Sequence, residues 1–157
     1  MTAEHKGLLQ EFQEYAKSAG TATALMQHIA QRLHEKMARY NWVGFYLVDK
    51  ADPNMLVMGP YVGSFTPNVC IPLQSGLCGA AATTRQTVVV DDVRKDPRYL
   101  QGSSMVISEI VVPIEVRGAV VGELDVESYF PSTFAEPERE FLETCARIVE
   151  KRLAKGV

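Results

Sequence analysis

The stretch Ile110-Val-Val-Pro-Ile-Glu-Val-Arg-Gly-Ala-Val-Val-Gly-Glu-Leu-Asp-Val-Glu127 decides the fold, because it joins two runs of strand-forming residues through a tight turn. Val and Ile favour the extended conformation, since their branched side chains pack well on a pleated surface. The four residues Val116-Arg-Gly-Ala119 have the composition of a hairpin turn, so the two runs should pair antiparallel. We therefore expect neighbouring antiparallel strands over residues 110–116 and 119–127.

The same patterns continue on the N-terminal side of this hairpin. A second turn, Asp52-Pro-Asn54, separates two strand-like runs and predicts another antiparallel pair. Apolar residues at helical spacing predict two helices ahead of the strands, and one behind them where Pro137 lies among acidic residues that suit a helix start. The remaining predicted elements are strands over residues 41–49, 55–59, 68–72 and 87–90 and a short helix over 76–85.

Composition restricts the class of protein. The chain has 157 residues, of which 46% are hydrophobic and 22% are charged, as is typical of one soluble globular domain. A net charge of −3, without a long basic run, argues against a nucleic-acid partner. No apolar run is long enough to cross a bilayer, and no signal-peptide region follows the polar N-terminus. We therefore expect a cytoplasmic protein that does not bind membranes.

Helices that bracket a block of antiparallel strands define an α+β fold. We expect a single domain over residues 1–157, because no repeat, low-complexity tract or linker divides the chain. Its N-terminal helices should occupy residues 1–40 and its C-terminal helix residues 135–154. The sheet and the loops of a pocket should lie between them, over residues 41–128.

Three carboxylates form a row on the last predicted strand. Glu123, Asp125 and Glu127 share one face, because side chains two residues apart point to the same side of a sheet. Two readings are open, above all for Glu123: the solvated face of an amphipathic strand, or the lining of a pocket. Another acid, Glu109, interrupts an apolar run, where a carboxylate is unfavourable unless it is exposed, paired or used.

Aromatic residues share one face of the first predicted strand. Trp42 and Tyr46 lie on either side of Gly44, whose bare backbone would allow a ligand to approach closely. Acids and aromatic rings together suit a ligand that carries an ammonium group. The loop over residues 92–104 is interpreted either as a lid over this face or as an ordinary surface connection.

The chain has three cysteines, an odd number that argues against a disulfide framework. Cys145 lies on the apolar stripe of the last predicted helix, where burial is expected. Cys70 and Cys78 lack the spacing of a zinc site, and His28 and His34 are too far apart to share one helix face. We therefore expect no metal ion and no cofactor.

Several motifs follow one another along nearly the whole chain. They are Asn41-Trp-Val-Gly-Phe-Tyr-Leu47, Leu73-Gln-Ser-Gly-Leu-Cys-Gly-Ala-Ala-Ala82, Val88-Val-Val-Asp-Asp-Val93, Asp96-Pro-Arg-Tyr-Leu100, Ser108-Glu-Ile-Val-Val-Pro-Ile114 and Gly122-Glu-Leu-Asp-Val-Glu-Ser128. Their order and spacing resemble a GAF domain, and within that family the chain is most similar to the small free methionine-(R)-sulfoxide reductases. The resemblance implies a central antiparallel sheet with the terminal helices on one face and a ligand pocket on the other. It also implies a homodimer joined through the terminal helices.

The resemblance further implies which residues bind the ligand. The family reduces a free amino-acid sulfoxide, with a cysteine that attacks the sulfoxide sulfur and a second cysteine that resolves the sulfenic acid as a disulfide. Carried over residue by residue, the ligand-binding positions are Trp42, Tyr46, Glu109, Asp125 and Glu127. At the last of these the family usually has Asp.

The cysteines depart from the family pattern. The nucleophile position, seven residues before Glu109, falls on Gly102, and the first family cysteine falls on Asn68. Cys78 matches the family's turn cysteine, whereas Cys70 lies two residues beyond Asn68 and is expected to share its strand face.

Two functions follow. The chain either binds a small ligand such as free methionine sulfoxide without the usual cysteine catalysis, or is an active reductase. In the second case Cys78 would attack, Cys70 would resolve, and thioredoxin would be a partner.

Overall fold

The computed structural model describes residues 1–64, 68–101 and 103–156. Four α-helices and six β-strands account for most of them. In chain order the elements are α1 (Ala3–Ser18), α2 (Ala22–Lys36), β1 (Trp42–Val48), β2 (Met55–Gly63), β3 (Cys70–Pro72), α3 (Gly76–Thr84), β4 (Val88–Val90), β5 (Ser108–Val116), β6 (Ala119–Ser128) and α4 (Glu138–Leu153), with a short 3₁₀ helix at Val93–Lys95.

The strands form one six-stranded sheet in the order β3-β2-β1-β6-β5-β4, and every neighbouring pair is antiparallel. Both predicted hairpins, β1–β2 and β5–β6, are confirmed. The strand β2 is longer than predicted, because it stays paired with β1 as far as Gly63, opposite Trp42. The long hairpin strands β1 and β6 meet at the centre of the sheet.

The terminal helices lie on one face of the sheet, as predicted: α2 and α4 contact the strands, and α1 packs against both of these helices. Two of these helices start at a threonine cap: Thr2 forms a capping box with His5, and the Thr21 side chain accepts a hydrogen bond from the amide of Ala24. Val43 and Phe45 of β1 point into this layer, where they are fully buried. The helices are therefore held by the main hydrophobic core.

The opposite face carries a second, smaller cluster beneath α3. Leu77 of α3 packs there with Leu56, Ile71 and Val111 of the sheet. Since the central strands are covered on both faces, side chains on this second face are removed from water. The predicted α+β fold, with helices on one face and a pocket region on the other, is confirmed.

None of the helices in the described ranges has the length and apolar character needed to cross a bilayer.

Candidate functional site

Four carboxyl groups converge on the face of the sheet that α3 covers. Alternation along β6 brings Glu123, Asp125 and Glu127 to this face, and the β5–β6 register sets Glu109 directly opposite Glu127. All four are buried, with exposed fractions of 0% for Glu123, 4% for Asp125 and Glu109, and 6% for Glu127. The solvated-strand reading of Glu123 is therefore wrong, because α3 covers the row.

The Cys78 thiol lies against these acids. Cys78 belongs to the first turn of α3, and its thiol donates to Asp125 Oδ2 across 3.6 Å. The thiol sulfur and one carboxylate oxygen each from Glu109 and Asp125 lie within 4.8 Å of one another. Glu123 also interacts with this thiol. Sequence reasoning placed these residues on separate strands and a helix, and the fold brings them into one cluster.

Burial and mutual repulsion change the protonation of this cluster. Burial, reinforced by Asp125, raises the pKa of the Glu109, Glu123 and Glu127 carboxyls well above its usual range. The pKa of Asp125 rises to about 6, chiefly through burial, against the opposing effect of its contacts with Glu109 and Cys78. Burial, together with the nearby acids Asp125, Glu123 and Glu109, also raises the pKa of Cys78, so its thiol stays protonated at neutral pH.

A narrow cavity of about 20 Å³ lies between the acids and α3, with room for about one water molecule. Among the described residues that line it there is no Lys, Arg or His. Gly76, Leu77 and Cys78 line it from the first turn of α3, where the N-cap Ser75 makes no side-chain cap hydrogen bond. The cavity therefore has an acidic wall facing an uncapped helix N-terminus.

The loop predicted to be a lid reaches this cavity, since Tyr99 and Leu100 belong to its lining. Gly102, the expected nucleophile position of the family, lies outside the described residues. Tyr46 also lines the cavity, and its hydroxyl donates to the carbonyl of Asn68 across 2.8 Å. Burial and the neighbouring acids raise the pKa of this tyrosine, which stays neutral.

Trp42 lies behind the cavity rather than along its described lining. The indole ring stacks on the Tyr61 ring, with 5.7 Å between the ring centroids, and lies beside the Tyr46 ring, with 6.4 Å between centroids. It also covers Gly44 and Gly63, where a Cβ atom would collide with the indole. The space in front of Gly44, which the sequence offered to a ligand, is therefore filled by Trp42.

Cys70 is exposed, and its neighbour Ile71 faces the cavity instead. Asn68 lines the cavity although it precedes β3, so the two-residue step between Asn68 and Cys70 does not follow strand alternation. All three cysteines are free, and Cys145 is buried among the helices, as predicted. The sequence analysis also missed the first turn of α3 as part of the lining, although the glycine ahead of Cys78 was a signal of close backbone approach.

Comparison with known proteins agrees with this architecture. Residues 21–153 match the family model described as GAF domain. The free methionine-R-sulfoxide reductase of Saccharomyces cerevisiae is 31% identical over 148 residues, which cover 94% of this chain and 80% of that protein. GAF domain-containing protein A of Dictyostelium discoideum is 31% identical over 149 residues, 94% of this chain and 90% of that protein. The X-ray structure of free methionine-R-sulfoxide reductase from Neisseria meningitidis in complex with its substrate has a TM-score of 0.90 at 33% identity, over 96% of this chain and 90% of that one.

Proposed function

Since the chain belongs to the GAF domain family, we propose that it binds a small ammonium-bearing molecule of the class of free amino acids and their sulfoxides. In this proposal it lacks the cysteine catalysis of the free methionine-R-sulfoxide reductases, to which it is closely related. The observation that carries this proposal is the set of three buried carboxyl groups, of Glu109, Asp125 and Glu127, that face a cavity whose described lining holds no cationic side chain. A bound ammonium group would supply the missing positive charge.

The opposite wall of the cavity suits the other end of an amino acid. The first turn of α3 carries amide groups that its N-cap residue Ser75 does not cap, and a helix N-terminus favours a carboxylate. Glu109, Asp125, Glu127 and Tyr46 are the residues that we assign to ligand binding. Trp42 would act by supporting Tyr46 from behind. A zwitterion would span the cavity from the acids to the helix.

The cavity must widen before such a ligand enters. A space of about 20 Å³ accommodates one water molecule, whereas an amino acid is several times larger. Tyr99 and Leu100 belong to a loop between elements, so they can move without breaking the hydrogen bonds of the sheet. Ligand binding is therefore expected to displace this loop.

The thiols support binding over catalysis. The raised pKa of Cys78 leaves little thiolate to attack a sulfoxide, and Cys70 lies exposed outside the described lining of the cavity. One observation favours the alternative function, an active free methionine-(R)-sulfoxide reductase. Cys78 contacts Asp125, whose pKa of about 6 suits an acid that protonates a departing oxygen.

Thermal unfolding tests the binding proposal. Free methionine-(R)-sulfoxide and methionine, at about 100 times their dissociation constant, should stabilise the protein by about 2.7 kcal/mol, whereas N-acetylmethionine, which lacks the ammonium group, should not. The variant Glu127→Gln should lose this shift. Glu115→Gln is the matched control, because Glu115 pairs with Arg85 outside the cavity. If no free amino acid or sulfoxide raises the melting temperature, the binding proposal fails.

Turnover separates the two functions. With thioredoxin, thioredoxin reductase and NADPH, the binding function predicts no reduction of free methionine-(R)-sulfoxide. Reduction that Cys78→Ser abolishes would instead establish the reductase. In that case Cys70→Ala tests whether Cys70 resolves the sulfenic acid.

The same proposal includes a cytoplasmic homodimer of one-domain chains, joined through the terminal helices. The expectation comes from the resemblance to the reductase family. Light scattering coupled to size exclusion would give a mass of two chains if it holds and of one chain if it does not.

A further inference from the structure

We infer that the acidic end of this cavity also binds a thiophilic divalent cation such as Zn²⁺. The ligands would be Cys78 Sγ and one carboxylate oxygen each from Glu109 and Asp125. The inference shares its residues with the proposed function, since the cation would occupy the acidic end of the same cavity and compete with an ammonium group. It does not require that any organic ligand binds.

The distances suit a metal centre. The three ligand atoms lie within 4.8 Å of one another, and Cys78 Sγ is 3.6 Å from Asp125 Oδ2. In tetrahedral coordination, zinc bonds of about 2.3 Å to sulfur and about 2.0 Å to oxygen separate those two ligands by about 3.5 Å. The thiol and Asp125 are thus already placed as two ligands would be, and Glu109 needs only a small side-chain movement.

Unpartnered buried oxygens in this cluster also favour a bound cation. Asp125 Oδ1 and both carboxylate oxygens of Glu123 are buried and make no hydrogen bond within the described part of the chain. Such groups are unfavourable unless they meet a donor or a metal ion. Glu123 interacts with the Cys78 thiol but lies outside the group of three ligand atoms, so a water molecule would complete a four-coordinate site. Three acids, Glu109, Asp125 and Glu127, and the Cys78 thiol therefore line a space about the size of one water molecule.

The ligand set selects the kind of cation. Magnesium and calcium prefer oxygen ligands alone, whereas a thiolate with two carboxylates suits Zn²⁺ and its spectroscopic substitute Co²⁺. On binding, the thiol proton of Cys78 and any carboxyl protons on Glu109 and Asp125 are released to the buffer. The cation thereby replaces protons that the buried cluster otherwise holds.

Cobalt titration of metal-free protein tests the inference. The Cys70→Ala background removes the exposed thiol, which could bind metal adventitiously. We expect one Co²⁺ per chain with a near-ultraviolet thiolate-to-cobalt absorption band. Adding Zn²⁺ should abolish the band, and zinc calorimetry in two buffers should reveal proton release. The absence of the band, or its persistence in Cys78→Ser, would overturn the inference.

A second variant guards against a folding defect in Cys78→Ser. Asp125→Asn keeps the side-chain shape and the thiol but removes a charged ligand, and should weaken cobalt binding at least about tenfold. Unchanged affinity in a folded Asp125→Asn protein would also count against the site. The Glu115→Gln control should bind Co²⁺ as the parent does.

Chelation separates this inference from the proposed function. If amino acids stabilise the protein in EDTA but Co²⁺ gives no thiolate band, the metal inference alone fails. If the band forms and no amino acid shifts the melting temperature, the metal inference holds and the proposed function fails. If both hold, Zn²⁺ should reduce the amino-acid shift, because the two compete for the same acids.

Discussion

The Cys78 thiol donates to Asp125 Oδ2 across 3.6 Å, at a point buried from solvent, and so ties the first turn of α3 to β6. This contact keeps the thiol in an apolar and acidic setting, where its anion is doubly disfavoured. The Cys78 thiol is therefore expected to stay protonated near neutral pH.

The rate of thiol modification measures how the reactivity of Cys78 differs from that of the exposed Cys70. In native protein with EDTA near neutral pH, a disulfide reagent should react quickly with one thiol per chain, the exposed Cys70. Cys78 and Cys145, whose pKa values burial raises, should react at least about 100-fold more slowly, since each pKa unit lowers the thiolate fraction about tenfold. Cys70→Ala should remove the fast phase, and a fast phase that survived would mean that Cys78 is accessible and activated.

Replacing Glu123 by an apolar residue should stabilise the protein. Both carboxyl oxygens of Glu123 are buried without a hydrogen bond among the described residues, so the side chain loses its hydration without compensation. Glu123→Leu, of similar volume, should raise the free energy of unfolding by about 1–3 kcal/mol in EDTA. Glu123→Gln keeps a polar group and should gain less. Denaturant unfolding measures both, and a loss of stability in Glu123→Leu would contradict this account.

The sequence predicted the hairpins and the shared face of Glu123 and Asp125, because turn chemistry and alternation are local properties. The sequence did not show whether that face is exposed to solvent. Its burial depends on packing against α3, which lies far from β6 in the sequence. The position of Trp42 was also out of reach, because its ring fills a space that exists only once Gly63 pairs opposite. Alternation failed at Asn68, which precedes the strand to which the rule applies.

The ion-pair cluster between α1 and α2 should make stability depend on pH. Glu11 accepts from Arg32 at 2.9 Å and 3.1 Å, lies 2.9 Å from His28, and has its pKa lowered chiefly by the Arg32 hydrogen bonds. A lowered folded-state pKa means that the stabilisation is complete above the unfolded value and is lost as pH falls through the folded value. Glu11→Gln should therefore cost about 1 kcal/mol near pH 7, after allowing for partial exposure, and nothing in strong acid.

Urea unfolding at pH 7 and at pH 3 measures whether the stability difference between the parent protein and Glu11→Gln shrinks as the pH falls. Glu14→Gln is the matched control, because Glu14 pairs with Lys17 on the exposed face of the same helix. It should change stability by less than about 0.5 kcal/mol at either pH. A Glu11→Gln deficit that persisted unchanged in acid would show that the effect does not come from the ionised carboxylate.

Gly79 sets how closely α3 approaches the strand connection before it. A Cβ atom at this position would lie 2.6 Å from the carbonyl carbon of Gln74 and 2.9 Å from the carbonyl oxygen of Leu73, both backbone atoms. Gly79→Ala should therefore lower the free energy of unfolding by about 1–3 kcal/mol, despite the better helix propensity of Ala. Gly7→Ala in α1 is the control, because nothing lies within 4 Å of an added Cβ atom there. It should stabilise by about 0.5–1 kcal/mol. If both variants gained stability, the close approach of α3 to the connection at Leu73 and Gln74 would not limit the size of the side chain at position 79.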